Sequence, residues 1–344
     1  MSGQRVADIS PGDRVHGRFL VARKELRQGG RAGLFLDLTL WDVTGRRAVA
    51  RVWENAAAIS ERFEQGDVVE VVGVAETYRD ELQLRLEELH PIPPEEADPT
   101  EFLPRTTKDI QELERRLAEV VKSITNVHLR ELLLSFFRDP EFRRRFCVAP
   151  GAKALHHAYI GGLCEHTVEV VTLCEKVAEV FPQLDRDLLV TAAILHDIGK
   201  TEELSWGTAF DYTDAGNLLG HLALGERIVR QRADQIAGFP EELKLLVSHM
   251  ILSHHGTGEF GSPKAPMTAE AIALHHAEDL DAKVNMFLGQ IEAAREQGRR
   301  WTERHFLLGR SLYVGPGESS VAEAGGGPFG SAQGRPAPPE PEEG

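Results

Sequence analysis

Apolar and polar positions along this chain follow two different periods. From Val15 to Ile92 they alternate in short runs, VHGRFLVARKEL, LFLDLTLWDV, RRAVARVWE, VVEVVGVAETY and LQLRLEEL. A period of two predicts five strands with one buried face each. Turn signals separate the runs: Gly29-Gly30 with Gly33, Thr44-Gly45, and a reversal near Arg79 and Asp80. Between the third and fourth runs, NAAAISERFEQGD reads as a short helix closed by Gly66. Five strands with a helix between the third and fourth is the order of an OB-fold, a small Greek-key barrel, and residues 1–94 are assigned to one.

HPIPPEEADPTEFLPRT, rich in proline and acids and without periodicity, reads as an interdomain linker, so residues 95–150 are taken as linker and connecting helices. The period then lengthens to that of a helix. Lys108 to Ile124 carries Ile110, Leu113, Leu117 and Val120 on one face, and Val127 to Phe137 follows. Further helices are predicted over Leu163 to Phe181, Asp187 to Ile198 with Gly199 as a left-handed stop, Asn217 to Ala237, Pro240 to His255 and Thr268 to Gly298. Residues 151–314 therefore read as an all-α bundle, with GTGEFGSPKAPMT as a loop rimming its cleft. Residues 315–344 have too little apolar content to offset the entropy of ordering and read as a disordered tail.

Composition narrows the picture. With 344 residues, 42% of them hydrophobic, the chain is long enough for two cores. No run approaches the ~18 apolar residues of a membrane span and no signal peptide is visible at MSGQRVADIS, so a cytoplasmic protein without a membrane partner is expected. Cys147, Cys164 and Cys174 lack CxxC spacing and read as buried small hydrophobes. A net charge of −15 speaks against a generally cationic coat for nucleic acid. The barrel nevertheless concentrates Arg18, Arg23, Lys24, Arg27 and Arg31 on its first strand and loop and Arg46, Arg47 and Arg51 on its third, with Phe19, Phe35, Trp41 and Trp53 available to stack on bases. Arg18, Arg23, Lys24, Trp41, Arg46, Arg51 and Trp53 are the candidate nucleic-acid contacts.

Candidate chemistry lies in the helical part. His166, the pair His196-Asp197, His221, the pair His254-His255, and Glu278, Asp279 and Asp281 fall on successive predicted helices. A bundle builds a buried divalent-metal site from imidazole and carboxylate in this way. The adjacent His-Asp pair gives a metal one nitrogen and one oxygen from a single helix end, and the neighbouring helices complete the shell. Lys200 sits at the same helix end, where an ammonium stabilises phosphoryl oxygens or caps the helix dipole. His249 reads as structural, His156 and His157 as cleft residues, and His275 as an orienting residue one turn before Glu278.

The segments HHAYIGGLCEHT, ILHDIGK, YTDAGNLLGH, HMILSHHG and LHHAEDLDAK, in that order behind a barrel, resemble the HD superfamily of metal-dependent phosphohydrolases, and within it the YhaM-type 3′-to-5′ exoribonucleases. The resemblance covers nearly everything but the tail. It implies that His166, His196 and Asp197 bind the principal metal, that a final acid ligand falls at Glu278 with Asp279 as the alternative, and that His221, His254 and His255 hold a second metal or contact phosphate. Asp197, Lys200 and His221 become the catalytic candidates. The implied cofactor is one or two divalent ions, Mn2+ foremost, with Co2+, Fe2+, Zn2+ or Mg2+ also compatible with nitrogen and oxygen donors. The implied partner is single-stranded RNA, with single-stranded DNA open. Two other readings stay open from sequence: an HD-type nucleotide phosphohydrolase or cyclic-nucleotide phosphodiesterase, and a non-catalytic RNA-binding regulator.

Overall fold

The computed structural model describes residues 4–316 apart from 30–32, 44–45, 79–80, 94, 97–98, 154–156, 208, 257, 259–260 and 306–307. Gly30, Arg31, Thr44-Gly45, the reversal at Arg79 and Asp80, His156 and, from residue 317 on, the expected disordered tail lie outside the described residues. Residues up to Met286 form one compact unit and those from Phe287 onward a second.

Five strands, β1 (Arg14–Gly29), β2 (Gly33–Trp41), β3 (Arg47–Val52), β4 (Val68–Tyr78) and β5 (Glu81–Pro91), close into a barrel in the order β1-β2-β3-β5-β4. α1 (Ala56–Ser60) lies between β3 and β4. β3 and β5 pair in parallel while the other pairs run antiparallel, which is the OB-fold topology expected from the runs. β1 closes the barrel because it serves two partners. Arg14 to Leu20 pairs with β4, and Leu20 to Gly29 pairs with β2. A register shift between Val21 and Arg23 bends the strand at the changeover, and Phe19, Leu20 and Val21 are all buried there, where strict alternation would expose one of them. Inward residues such as Val15, Leu36, Leu38, Ala50, Val71 and Leu84 fill the interior.

The helical part contains α2 (Ile110–Ser123), α3 (Val127–Phe137), α4 (Pro140–Val148), α5 (Gly162–Val180), α6 (Arg186–Leu195), α7 (Lys200–Glu203), α8 (Asp214–Asp234), α9 (Glu241–Ser253) and α10 (Ala269–Glu296). Its core gathers Leu129, Leu132, Phe136, Phe146, Leu189 and Met250. It departs from an all-α bundle by a two-stranded ribbon, β6 (Leu204–Trp206) and β7 (Phe210–Tyr212). The proline-rich stretch is also more than a tether. Phe102 and Leu103 are buried with Leu20 and Val68 of the barrel and Ile160 and Phe210 of the helical part, with Trp41 packed against them. Backbone bonds Thr106 N–H to Ile160 O and Ile160 N–H to Pro104 O stitch the stretch down. Composition signals a linker, whereas two large apolar side chains in it are enough to dock it.

Two glycines shape the region around the histidines. Gly199 is not a left-handed stop: its φ of −63° is right-handed. It is glycine because a Cβ there would stand 2.1 Å from the backbone oxygen of His221, so α8 presses directly on the start of α7. Gly220, at φ 72° and ψ 160°, breaks α8 in two and starts its second half at His221.

Candidate metal centre

α5 brings His166 into the interior near its N-terminal end, the end of α6 brings His196 and Asp197, the break in α8 brings His221, and the end of α9 brings His254 and His255. His166, His196, Asp197 and His254 are each at most 2% exposed. His166 Nε2 and His196 Nε2 lie 3.1 Å apart, and each is 3.4 Å from Asp197 Oδ2. On the other side of the same carboxylate, Oδ1 stands 3.5 Å from His221 Nε2 and 3.6 Å from His254 Nε2. His221 Nε2 and His255 Nε2 approach to 2.9 Å. The residues predicted from 166 to 255 thus form two clusters joined through Asp197.

Which atoms face inward follows from what holds the rings. His196 Nδ1 lies 2.8 Å from Ala193 O and His254 Nδ1 2.8 Å from Ile251 O; a carbonyl only accepts, so both Nδ1 atoms carry the proton and both Nε2 atoms present lone pairs. His221 Nδ1 lies 3.0 Å from Glu203 Oε1, which also accepts the His221 backbone N–H, and His166 Nδ1 lies 2.7 Å from Asp281 Oδ2. Ring after ring is anchored on its δ side, as metal-binding histidines are. Acceptors therefore converge on acceptors, and Asp197 Oδ1 and His254 Nε2 are buried without a hydrogen-bond partner. A buried unpaired acceptor costs about 1–3 kcal/mol. A divalent cation is the partner that this donor set fits, on either side of Asp197.

The electrostatics agree. Burial works to raise the Asp197 carboxyl, but the Lys200 ammonium, 2.6 Å away, together with His196 and His166, holds it well below the usual carboxylate range. Burial also opposes charge on His166, yet Asp197 and Asp281 raise it to about 9, so positive charge is favoured among these atoms. Burial pushes His254 down to about 3 and His255 to about 2, keeping both neutral as ligands must be.

Other predicted residues fall as follows. Glu278 is 8% exposed, its carboxyl raised by burial, and it lines the cavity shared by Lys200, His221 and His255. Asp279 also reaches that cavity but holds the Lys283 ammonium at 2.7 Å. His275 Nδ1 donates to His254 O, steadying the backbone of a histidine rather than Glu278. His249 Nε2 accepts the Met267 N–H, the structural part expected of it. Sequence reading missed Glu203, which fixes His221 from a four-residue helix, because an acid after HDIGK looks solvated. It also missed Glu169, which bonds His157 Nε2 at 3.1 Å behind the Asp281–His166 pair.

The barrel corrects part of the expected basic face. Lys24 is a structural cation: its ammonium donates to Ser60 O and Phe63 O and pairs with Glu64 at the end of α1. Phe19 is in the barrel core and offers no face to a base, and Trp41 is half-buried, packed against the apolar cluster between barrel and helices. Arg23 and Arg27 share Glu25, Arg51 pairs with Asp37 at 3.2 Å, and Arg18 stands 3.8 Å from Glu70. Arg46 is exposed, with its backbone N–H on Asp42 Oδ1. What remains on the outer face is a stack: Trp53, 36% exposed, lies 4.7 Å from Phe35, and the Arg51 guanidinium covers the rings of Phe35 and Tyr78 at 5.5 and 5.2 Å.

Among the described residues, no helix is long and apolar enough to cross a membrane. The HD domain family model matches residues 163–283. The 3′-5′ exoribonuclease YhaM of Bacillus subtilis strain 168 is 34% identical over 281 residues, 81% of this chain and 88% of that protein. Its counterpart in Bacillus pumilus strain SAFR-032 is 33% identical over the same shares. The solution structure of the second OB-fold domain of replication protein A from Methanococcus maripaludis aligns with 26% of this chain and 94% of its own at 18% identity and a TM-score of 0.23.

Proposed function

Because the chain belongs to the family of YhaM-type 3′-5′ exoribonucleases, we propose that it shortens single-stranded RNA from the 3′ end by metal-dependent hydrolysis of phosphodiester bonds. The observation that carries this reading is the convergence of buried acceptors on both oxygens of Asp197.

His166, His196 and Asp197 would hold one cation, and His221, His254, His255 and Asp197 would hold a second, with Glu278 as the remaining acid. A donor set of imidazole and carboxylate without thiolate suits Mn2+. A divalent ion there supplies Lewis acidity toward water and the phosphoryl oxygens. The chain's own groups supply the rest. Lys200 fixes Asp197 and keeps further N–H donors for a phosphoryl oxygen, where charge concentrates during transfer. Glu203 and Asp281 keep His221 and His166 in their ligand tautomers. Trp53, Phe35 and Arg51 on the barrel offer stacking surface to bases upstream of the cut.

The test uses metal-stripped protein reloaded with Mn2+, Co2+, Fe2+, Zn2+ or Mg2+ and given 5′-end-labelled single-stranded RNA or DNA. The expected outcome is a ladder receding one nucleotide at a time from the 3′ end, fastest with Mn2+ and on RNA. Internal cleavage, or no cleavage with any ion, rejects the reading.

A further inference from the structure

The cavity that opens onto the metal centre encloses about 540 Å3, within the ~300–1,000 Å3 typical of small-ligand sites. Lys200, His221, His255 and Glu278 form its floor. Two other lining residues are exposed: Lys153, on the segment before α5, and Tyr212, at the end of the ribbon. Lys153 Nζ is 2.6 Å from Asp211 Oδ1 and 5.3 Å from the centre of the Tyr212 ring. Tyr212 is 41% exposed.

The ribbon that carries this ring is anchored on both sides. Phe210 is buried with Leu20 and Val68 of the barrel, and Thr213 Oγ donates to Glu202 O. An exposed aromatic on an anchored ribbon, beside an ammonium and over a polar floor, has the chemistry of a nucleotide: a flat base and an anionic phosphate. The ammonium has three N–H donors; Asp211 takes one, so others remain for phosphate oxygens.

We propose that Tyr212 and Lys153 form the subsite for the 3′-terminal nucleotide, the ring stacking on its base and the ammonium holding a phosphate of the adjoining strand. This rests on the exoribonuclease reading and deepens it. Stacking accepts any base, so the subsite confers no sequence preference. It also gives the ribbon a purpose: the apolar contact that Phe210 makes with the barrel fixes, on the same strand, the ring that receives the strand end.

The test compares a labelled RNA trinucleotide with the same RNA made abasic at its 3′-terminal residue, using the full metal-loaded chain. In the wild type kcat/KM is higher for the intact RNA. Tyr212→Ala lowers the intact-to-abasic ratio roughly tenfold, chiefly through KM, whereas Tyr212→Trp keeps the ratio. Lys153→Met weakens both substrates alike and flattens the salt dependence of binding. A wild-type ratio in Tyr212→Ala overturns the subsite, even where both rates fall together, because a merely structural ring would move both alike. Wild-type protein that cuts neither RNA overturns the exoribonuclease reading itself, which is a different result from an unchanged ratio.

Discussion

The barrel and the helical centre both concentrate charge, and they treat it in opposite ways. On the barrel, Arg23, Arg27 and Arg51 each meet a carboxylate, Glu25 or Asp37, in pairs whose members keep contact with solvent. Such pairs are worth about 0–1 kcal/mol each and are satisfied without any visitor. In the helical centre, five imidazoles and Asp197 face one another, with Asp197 Oδ1 and His254 Nε2 buried and unmatched. A satisfied surface says little about a ligand, whereas buried acceptors that face one another call for a positively charged partner. The contrast therefore points to the cation more sharply than to the nucleic acid.

The largest effect expected from breaking that contrast is at Asp197, the carboxylate common to both clusters. Asp197→Ala should cut RNA hydrolysis by at least about a thousandfold, a loss appropriate to removing a shared metal ligand, while leaving RNA affinity within about twofold in a filter-binding assay. Turnover near the wild-type rate would detach the chemistry from this centre. Next comes the support behind the ligands: Asp281→Asn weakens the bond that anchors His166 Nδ1 and should lower metal affinity roughly 10- to 100-fold in a calorimetric titration. An unchanged titration would mean that His166 is oriented by packing alone.

On the barrel, Trp53→Ala should weaken long-RNA binding by roughly tenfold, from lost stacking. Lys24→Met should leave RNA affinity unchanged and lower thermal stability, since its ammonium closes the end of α1. Equal losses of RNA affinity in the two variants would restore Lys24 as a phosphate contact. The smallest effect concerns Asp187, whose carboxylate accepts from Thr125 N, Thr125 Oγ and Asn126 N at the start of α3. Burial opposes its charge, but these bonds prevail and hold it below its ordinary 3.8. Its stabilisation is then complete above that value and is lost as pH falls through the lower folded one. Asp187→Asn should cost about 1 kcal/mol at pH 7, as lost caps do, with the deficit shrinking toward the acid end of the stable range in melting curves. A deficit independent of pH would assign the loss to shape instead of charge.

Much of this protein could be read along the chain. The alternation from Val15 to Ile92 placed five strands and one helix in the order that closes a barrel, because strand periodicity is local. The series His166, His196-Asp197, His221 and His254-His255 could be read because each short motif marks a helix end, and together they resemble a known family. Gly199 was misread because nothing local distinguishes a glycine needed for φ from one needed for space. Phe102 and Leu103 were hidden by the prolines and acids around them.

The amino-acid order by itself pointed to the barrel strands, to most of the helices and to the histidines and acids proposed for the chemistry, since these readings depend on spacings of a few residues. Only the closed structure decided which of those side chains meet. The bond from His166 to Asp281 spans 115 positions, and the one from Lys24 to Phe63 links a strand to the turn after α1. Contacts of that kind form only when separate elements pack. They turned one predicted phosphate-binding lysine into a helix fastener and an overlooked glutamate, Glu203, into the anchor of His221.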